Sequence, residues 1–429
     1  MRFLAAVVAL VTLTASAEER VRVLVAVGAP EVSASALRDT GALREQVIGS
    51  IAATRLERWG RTPVFAAEVT AEELEALRSD PRVRAVDLDL GGSGALRQSV
   101  PLIQADIARA NGYDGSGIVV AVLDTGIDRD HLDFTGRIVG EQCFCRNANG
   151  SGCCPGGEIE EAGPGAARDD NGHGTHVTGI IAAAGVTAPP GVAPGAQIVA
   201  VRVMDRFNRF DSITQIYRAL EWILLHRPDV RVINMSLGTA ARYPPETCGR
   251  TAAAWGLQPI IAELRRRGTL ITASSGNDSS INATTMPACM QDVLGIGATY
   301  DMTGTFGSEA CSEQVTKADT VACFSNSSES VDLLAPGARI TSTAEGGGET
   351  TYVGTSMAAP HVAGAIALMT QKNPFLKSDP IEHILKITGV AVIDARNALQ
   401  FSRIDVAAAV AFVADPPPAT GPKRRSVRR

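Results

Sequence analysis

The segment Gly354-Thr355-Ser356-Met357-Ala358-Ala359-Pro360-His361-Val362-Ala363-Gly364 sets a serine between a tight glycine turn and an apolar run that reads as a buried helix. Backbone N–H groups at a helix start point outward and can hold an oxyanion, so Ser356 stands where an attacked carbonyl would be stabilised. Two upstream segments carry the groups such a serine needs. Val119-Val120-Ala121-Val122-Leu123-Asp124-Thr125-Gly126 is an apolar strand that ends in a carboxylate. Asn171-Gly172-His173-Gly174-Thr175-His176-Val177-Thr178-Gly179 holds a histidine bracketed by two glycines that allow close backbone approach. A serine hydroxyl is a poor nucleophile until a base takes its proton. Histidine does this near neutral pH when a buried carboxylate fixes its tautomer. The chain order Asp, His, Ser assigns the nucleophile to Ser356, the base and later acid to His173, and the orienting carboxylate to Asp124. Singly, each has a plainer reading, since an Asp before Thr-Gly often only forms a turn and a His can cap a helix. His176 and His361 read as packing or supporting residues.

Working outward, apolar strand-like runs recur at 118–123, 198–203, 230–233, 269–273 and 293–298. Helix-like segments at 212–226 and 251–267 lie between them, and further helical runs at 356–371, 380–386 and 404–413 close the domain. Short apolar strands alternating with helices predict an α/β fold: a doubly wound, mostly parallel sheet with helices on both faces. Asp124 then lies at the carboxyl edge of that sheet, where open α/β sheets place their sites.

The first 17 residues read as an export signal, with Arg2 as the basic start, an apolar stretch from Phe3 to Leu13 and the small-residue site Ala15-Ser16-Ala17. Residues 18–97 form a small α+β module. It has a strand at 21–27, a helix from Thr70 with Glu73 completing a capping box, and a strand at 83–87. Gly91-Gly92-Ser93-Gly94 reads as a linker, 98–413 as the main domain, and 414–429 as a disordered basic tail. Hydrophobic residues make up 45% of the 429, enough for large cores, and the net charge of -6 gives no footprint for nucleic acid. No run after the signal is long and apolar enough to span a bilayer. In an exported chain the even set Cys143, Cys145, Cys153, Cys154, Cys248, Cys289, Cys311 and Cys323 favours four disulfides. Adjacent Cys153 and Cys154 should each take one of Cys143 and Cys145, Cys248 should meet Cys289, and Cys311 should meet Cys323. A zinc site on the first four is the alternative.

Ala273-Ser274-Ser275-Gly276-Asn277 follows a buried strand, and the Asn277 amide there could donate to an oxyanion beside the Ser356 N–H. With Val122-Leu123-Asp124-Thr125-Gly126-Ile127-Asp128, Gly172-His173-Gly174-Thr175-His176-Val177, Asn234-Met235-Ser236-Leu237-Gly238 and the segment around Ser356, it makes a specific set. On that set the chain resembles the subtilisin-like serine peptidases, or subtilases, from about Gln98 to Val413. The resemblance implies peptide-bond hydrolysis through an acyl-enzyme. It implies that Ser236, Leu237, Gly238, Ser275 and Gly276 line a cleft that pairs with extended substrate. It implies that residues 18–97 are an inhibitory prosegment cut near Gln98. The expected protein is a secreted, extracellular or periplasmic, monomeric endopeptidase that acts on proteins and peptides, is held by its own prosegment, and needs no cofactor for catalysis.

Three departures from the family pattern stand out. Ala184-Gly185-Val186-Thr187-Ala188-Pro189-Pro190 lacks the asparagine-rich loop that holds calcium in many subtilisins, so Asp133 matches a calcium-ligand position without its partners. Residues 143–167 and 239–251 are insertions. By resemblance, Asp278 lies at the rim of the pocket for the residue before the cut. It either favours a basic side chain there or is a solvated loop carboxylate. A catalytically silent scaffold on the same fold is the competing function, and an esterase is disfavoured because no G-x-S-x-G elbow occurs.

Overall fold

Residues 119–124 alternate strictly between two faces. Val119, Ala121 and Leu123 enter one apolar core, whereas Val120 and Val122 enter another. A strand buried on both faces in this way belongs inside a layered α/β sheet. The computed structural model describes residues 20–28, 36–58, 64–88, 96–308 and 310–416. The export signal, the linker at 91–94 and the tail from 417 lie outside them. The chain divides into two compact units after Gly92.

The first unit is a four-stranded antiparallel sheet in the order Thr54–Arg58, Val64–Thr70, Arg20–Val27, Val83–Leu88. Helices Ala36–Ile48 and Ala71–Ser79 accompany it. The capping box forms as the Thr70-x-x-Glu73 spacing requires. Thr70 Oγ1 accepts from the Glu73 N–H at 3.3 Å, and Glu73 Oε2 accepts from the Thr70 N–H at 2.8 Å. Val23, Val25, Phe65, Ala67, Val69 and Leu77 fill its core.

The second unit is built on a ten-stranded sheet. Its strands in chain order are β1 (Val119–Asp124), β2 (Ile138–Phe144), β3 (Glu160–Ala162), β4 (Gln197–Arg202), β5 (Val230–Met235), β6 (Leu270–Ser274), β7 (Leu294–Thr299), β8 (Leu333–Pro336), β9 (Val390–Ile393) and β10 (Gln400–Arg403). Across the sheet the order is β9-β10-β8-β7-β6-β5-β1-β4-β2-β3. Only the outermost strands, β9 and β3, run antiparallel to their neighbours. Helices α1 (His173–Ala182) and α4 (Thr355–Lys372) pack on one face. Helices α2 (Ile213–His226) and α3 (Ala252–Arg267) pack on the other. Ser212 and Thr251 cap α2 and α3, each accepting a backbone N–H from the first turn. Among the described residues no helix is long and apolar enough to cross a membrane.

The cysteines pair as Cys143–Cys154, Cys145–Cys153, Cys248–Cys289 and Cys311–Cys323. The zinc alternative fails because these sulfurs are bonded to one another rather than free as thiolates. One boundary differs from the sequence reading. Leu96–Leu102 is helical and belongs to the second unit, so a division at 97/98 falls inside a helix.

Candidate active site

Two strand ends and two helix starts converge on this site. β1 ends at Asp124, whose side chain is fully buried. Its Oδ1 accepts the Thr125 N–H at 2.7 Å and lies 2.7 Å from His173 Nδ1. A carboxylate only accepts, so His173 holds its proton on Nδ1 and leaves Nε2 free to take another. Oδ2 of Asp124 is buried with no hydrogen-bond partner among the described residues.

His173 is the first residue of α1, and its neighbours fix it there. Gly172 precedes it at φ 96°, a left-handed conformation that favours glycine. A Cβ on Gly174 would run into the Gly126 carbonyl, so only glycine lets the β1 loop approach this helix. The Gly174 N–H donates to Thr125 Oγ1 at 2.8 Å, tying the two segments together. Asp169 caps the helix start. Its carboxylate accepts from the N–H groups of Asn171, Gly172 and Thr175 and from Thr175 Oγ1. Burial pulls the His173 pKa down. The charge and hydrogen bond of Asp124 and the charge of Asp169 more than offset this, holding it above the ordinary imidazole value.

The other two histidines of these helices are neutral. Burial and the nearby His173 lower His176 to about 3, and burial lowers His361 to about 4. His176 Nε2 lies 3.0 Å from the Ile340 carbonyl and 3.1 Å from that of Thr350, and its ring stacks on Tyr352 at 4.5 Å. His361 Nδ1 donates to the Met357 carbonyl at 2.8 Å, and Nε2 accepts from Ser99 Oγ at 2.9 Å.

Ser356 is the second residue of α4. From Thr355 to Thr370 every residue is buried except Ser356. Its carbonyl would ordinarily accept the N–H four residues on, but that residue is Pro360, which has none. Ser236 Oγ supplies the missing donor at 2.7 Å. In return Ser356 Oγ donates to the Ser236 carbonyl at 3.2 Å. Among the described residues no hydrogen bond joins Ser356 Oγ to His173, although α1 and α4 pack together. Nucleophile–base bonds are often loose without substrate.

Asn277 follows β6. Its Oδ1 accepts from the Thr355 N–H at 2.8 Å and from Thr355 Oγ1 at 2.9 Å. With the amide oxygen so engaged, Nδ2 is the end left to donate. Asn277 and Ser356 line one cavity of about 540 Å³ with Ser236, Leu237, Gly238 and Gly276. Ser275 departs from the sequence reading. It is fully buried, its hydroxyl donates to the Asn326 carbonyl at 2.9 Å, and it does not line the cavity. Asp278 is solvated, as one of the two sequence readings had it, but it is not unpaired. Its Oδ1 pairs with Arg242 at 3.1 Å, and its Oδ2 accepts from Asn326 Nδ2 at 3.0 Å.

Comparison with known proteins settles the family, because residues 115–403 match the subtilase family. The chain belongs to the subtilase family. It is similar to subtilisin E of Bacillus subtilis (strain 168), 35% identical over 318 residues that cover 72% of each chain. It is also similar to an alkaline protease of Shouchella clausii, 33% identical over 79% of this chain and 77% of that one. Among solved structures, proteases of Pseudoalteromonas arctica superpose with a TM-score of 0.57 at 26% identity, covering 74% of this chain and 94% of theirs. A cold-adapted subtilisin-like serine proteinase gives a TM-score of 0.52 at 28% identity, covering 68% and 90%. As a subtilase the chain is a serine-type endopeptidase on a subtilisin-like α/β fold.

Calcium does not fit at Asp133 of this subtilase. The fully buried carboxylate accepts from the Val186 N–H at 2.7 Å, the Thr187 N–H at 3.0 Å, Thr187 Oγ1 at 2.7 Å and the Ala188 N–H at 3.0 Å. Burial raises its pKa, but these bonds overcome that and hold it below the usual carboxylate value. Calcium requires oxygen lone pairs, whereas hydrogen-bond donors face this carboxylate.

Asp169, Tyr352 and Pro360 were not singled out in the sequence. The signal for Asp169 was there, an aspartate just ahead of a helix start that itself lacks a capping side chain. For Tyr352 no local signal exists, because its partners lie on a distant helix.

Proposed function

We propose that this chain is a secreted, self-processing endopeptidase in which Ser356 attacks the peptide carbonyl. His173 Nε2 takes the Ser356 proton as the Oγ–carbon bond forms. The imidazolium is stabilised by the Asp124 carboxylate. Asn277 Nδ2 and the Ser356 N–H receive the oxyanion. His173 then protonates the leaving amine as the C–N bond breaks, leaving an acyl-enzyme. Water, deprotonated by His173, attacks the ester and frees Ser356. The observation that carries this reading is the 2.7 Å bond between buried Asp124 and a His173 whose pKa is raised. A carboxylate placed only to form a turn would have no reason to hold an imidazole.

Residues 18–97 act as prosegment and inhibitor, and the cut near Gln98 releases the mature enzyme. That cut requires Leu96–Leu102 to leave its helical form, since a bond in the cleft must be extended. Four disulfides support action outside the cytosol. The mature enzyme acts as a monomer on proteins and peptides and needs no metal at Asp133. Expression of Ser356→Ala tests the reading. The variant should fold, fail to cleave casein and remain as uncut precursor. Normal maturation of that variant alone would refute self-processing, and residual caseinolysis would refute the assignment of Ser356.

A further inference from the structure

The insertion at 239–251 is stitched to one wall of the cavity beside Ser356. Arg242 and Tyr243 pair in register with Thr285 and Thr284. The Thr239 N–H donates to the Met286 carbonyl at 2.9 Å, and Cys248–Cys289 closes the far end. This framework delivers the Arg242 guanidinium to Asp278, which lines the cavity while Arg242 stands outside it. Asp278 does not depend on Arg242 for its position. The fully buried Asn326 accepts the Asp278 N–H at 2.9 Å through Oδ1 and donates to Asp278 Oδ2 through Nδ2. Asn326 is held in turn, since its Oδ1 also accepts the Ser280 N–H and its Nδ2 also donates to the Ser275 carbonyl. The core thus fixes an anionic acceptor one residue after Asn277, the amide at the oxyanion position. The side chain nearest an attacked carbonyl is that of the residue before the cut, so it is the one that reaches Asp278.

We propose that Arg242 determines specificity by masking Asp278, so that the enzyme does not select lysine or arginine before the cut bond. This rests on the peptidase reading above. The side chains of Arg242 and Asp278 are 47% and 40% exposed, so the pair acts through screened charges. The other charged lining residue of the cavity is Arg209. With Arg242 in place the pair cancels, and Arg209 leaves the cavity net positive. Without Arg242, the Asp278 carboxylate faces an incoming ammonium unopposed.

The test compares mature wild type, Arg242→Ala, Arg242→Lys and Arg242→Ala/Asp278→Asn on peptides differing only in Lys or Gln before the scissile bond. The Lys-to-Gln ratio of kcat/KM cancels general losses of activity. In wild type the ratio should be at or below one. Arg242→Ala should raise it about fivefold at low salt, the scale of an exposed ion pair, and the gain should shrink at 1 M salt. Arg242→Lys should keep the wild-type ratio, and adding Asp278→Asn should abolish the gain. An unchanged ratio in an Arg242→Ala enzyme that still cleaves the Gln peptide would overturn the proposal. So would a gain that survives Asp278→Asn. A wild type that cleaves no peptide would instead overturn the peptidase reading, and the proposal with it.

Discussion

Asp124 and Asp133 lie nine positions apart, both fully buried, yet the chain treats them in opposite ways. Around Asp133 the loop Ala184–Pro190 spends three N–H groups and a hydroxyl on one carboxylate. Around Asp124 a single N–H and the His173 ring meet one oxygen, and the other oxygen has no partner among the described residues. Burying a carboxylate is costly unless hydrogen bonds or charge offset the loss of water. At Asp133 the offset is complete, and the residue works as a staple for the loop. At Asp124 it is incomplete, so the negative charge stays available to a proton arriving on His173. Equal burial therefore does not mean equal work; the donors around each carboxylate separate structure from chemistry.

Exchanging the charge at each site should break that contrast in opposite readouts. Asp124→Asn should lower kcat by about 10⁴-fold, the loss seen when a triad carboxylate becomes an amide and the wrong histidine tautomer is favoured. Its thermal midpoint should fall little. A similar loss of activity and stability together would make Asp124 structural.

Asp133→Ala should do the reverse. Three N–H groups lose a charged acceptor, which costs on the order of 3 kcal/mol. The midpoint should drop by several degrees, while kcat on a short peptide at low temperature changes less than about twofold. Because the folded pKa of Asp133 is depressed, its stabilisation is present above the ordinary carboxylate value and is lost as pH falls through the lower folded one. Acid melts of wild type and variant should therefore converge at low pH. Curves that stay parallel down to pH 2 would contradict the staple.

The smallest effect sharpens the contrast without removing either carboxylate. A general base works only when neutral, so a raised His173 pKa moves the acid limb of kcat/KM upward. Its midpoint should lie above about 6.5, the unperturbed value. In Asp124→Asn, measured through its residual activity, the limb should move down. A wild-type midpoint below 6 would mean that burial outweighs the two carboxylates.

Much of this was legible in the chain. The strand that ends at Asp124 and those that lead to Ser236 and Asn277 are five or six mainly apolar residues, buried except at Arg231, and Ser212, Thr251 and Thr70 announce their helices by local capping chemistry. The segment around Ser356, with the Asp124 and His173 segments in that chain order, carried its proposed role as nucleophile. What escaped depends on contacts between distant segments. Strands β8, β9 and β10 have only four residues each, too few to show a period. The Asp133 staple joins residues more than 50 positions apart, so the missing calcium loop was visible but its replacement was not. Asp278 was noticed, but its partner Arg242 sits 36 residues earlier in an insertion that no local pattern directs toward the cleft.

The most direct test concerns the Ser356 hydroxyl, on the one residue not buried between Thr355 and Thr370, as the nucleophile. Mature protein should be treated with a fluorophosphonate probe, digested and mapped by mass spectrometry, beside a His173→Ala control. A single adduct should form on Ser356, hydrolysis should be lost in step with labelling, and labelling of His173→Ala should be slower by about 10³-fold or more. An adduct on any other residue in hydrolytically active protein, or full activity with Ser356 unlabelled, would contradict it.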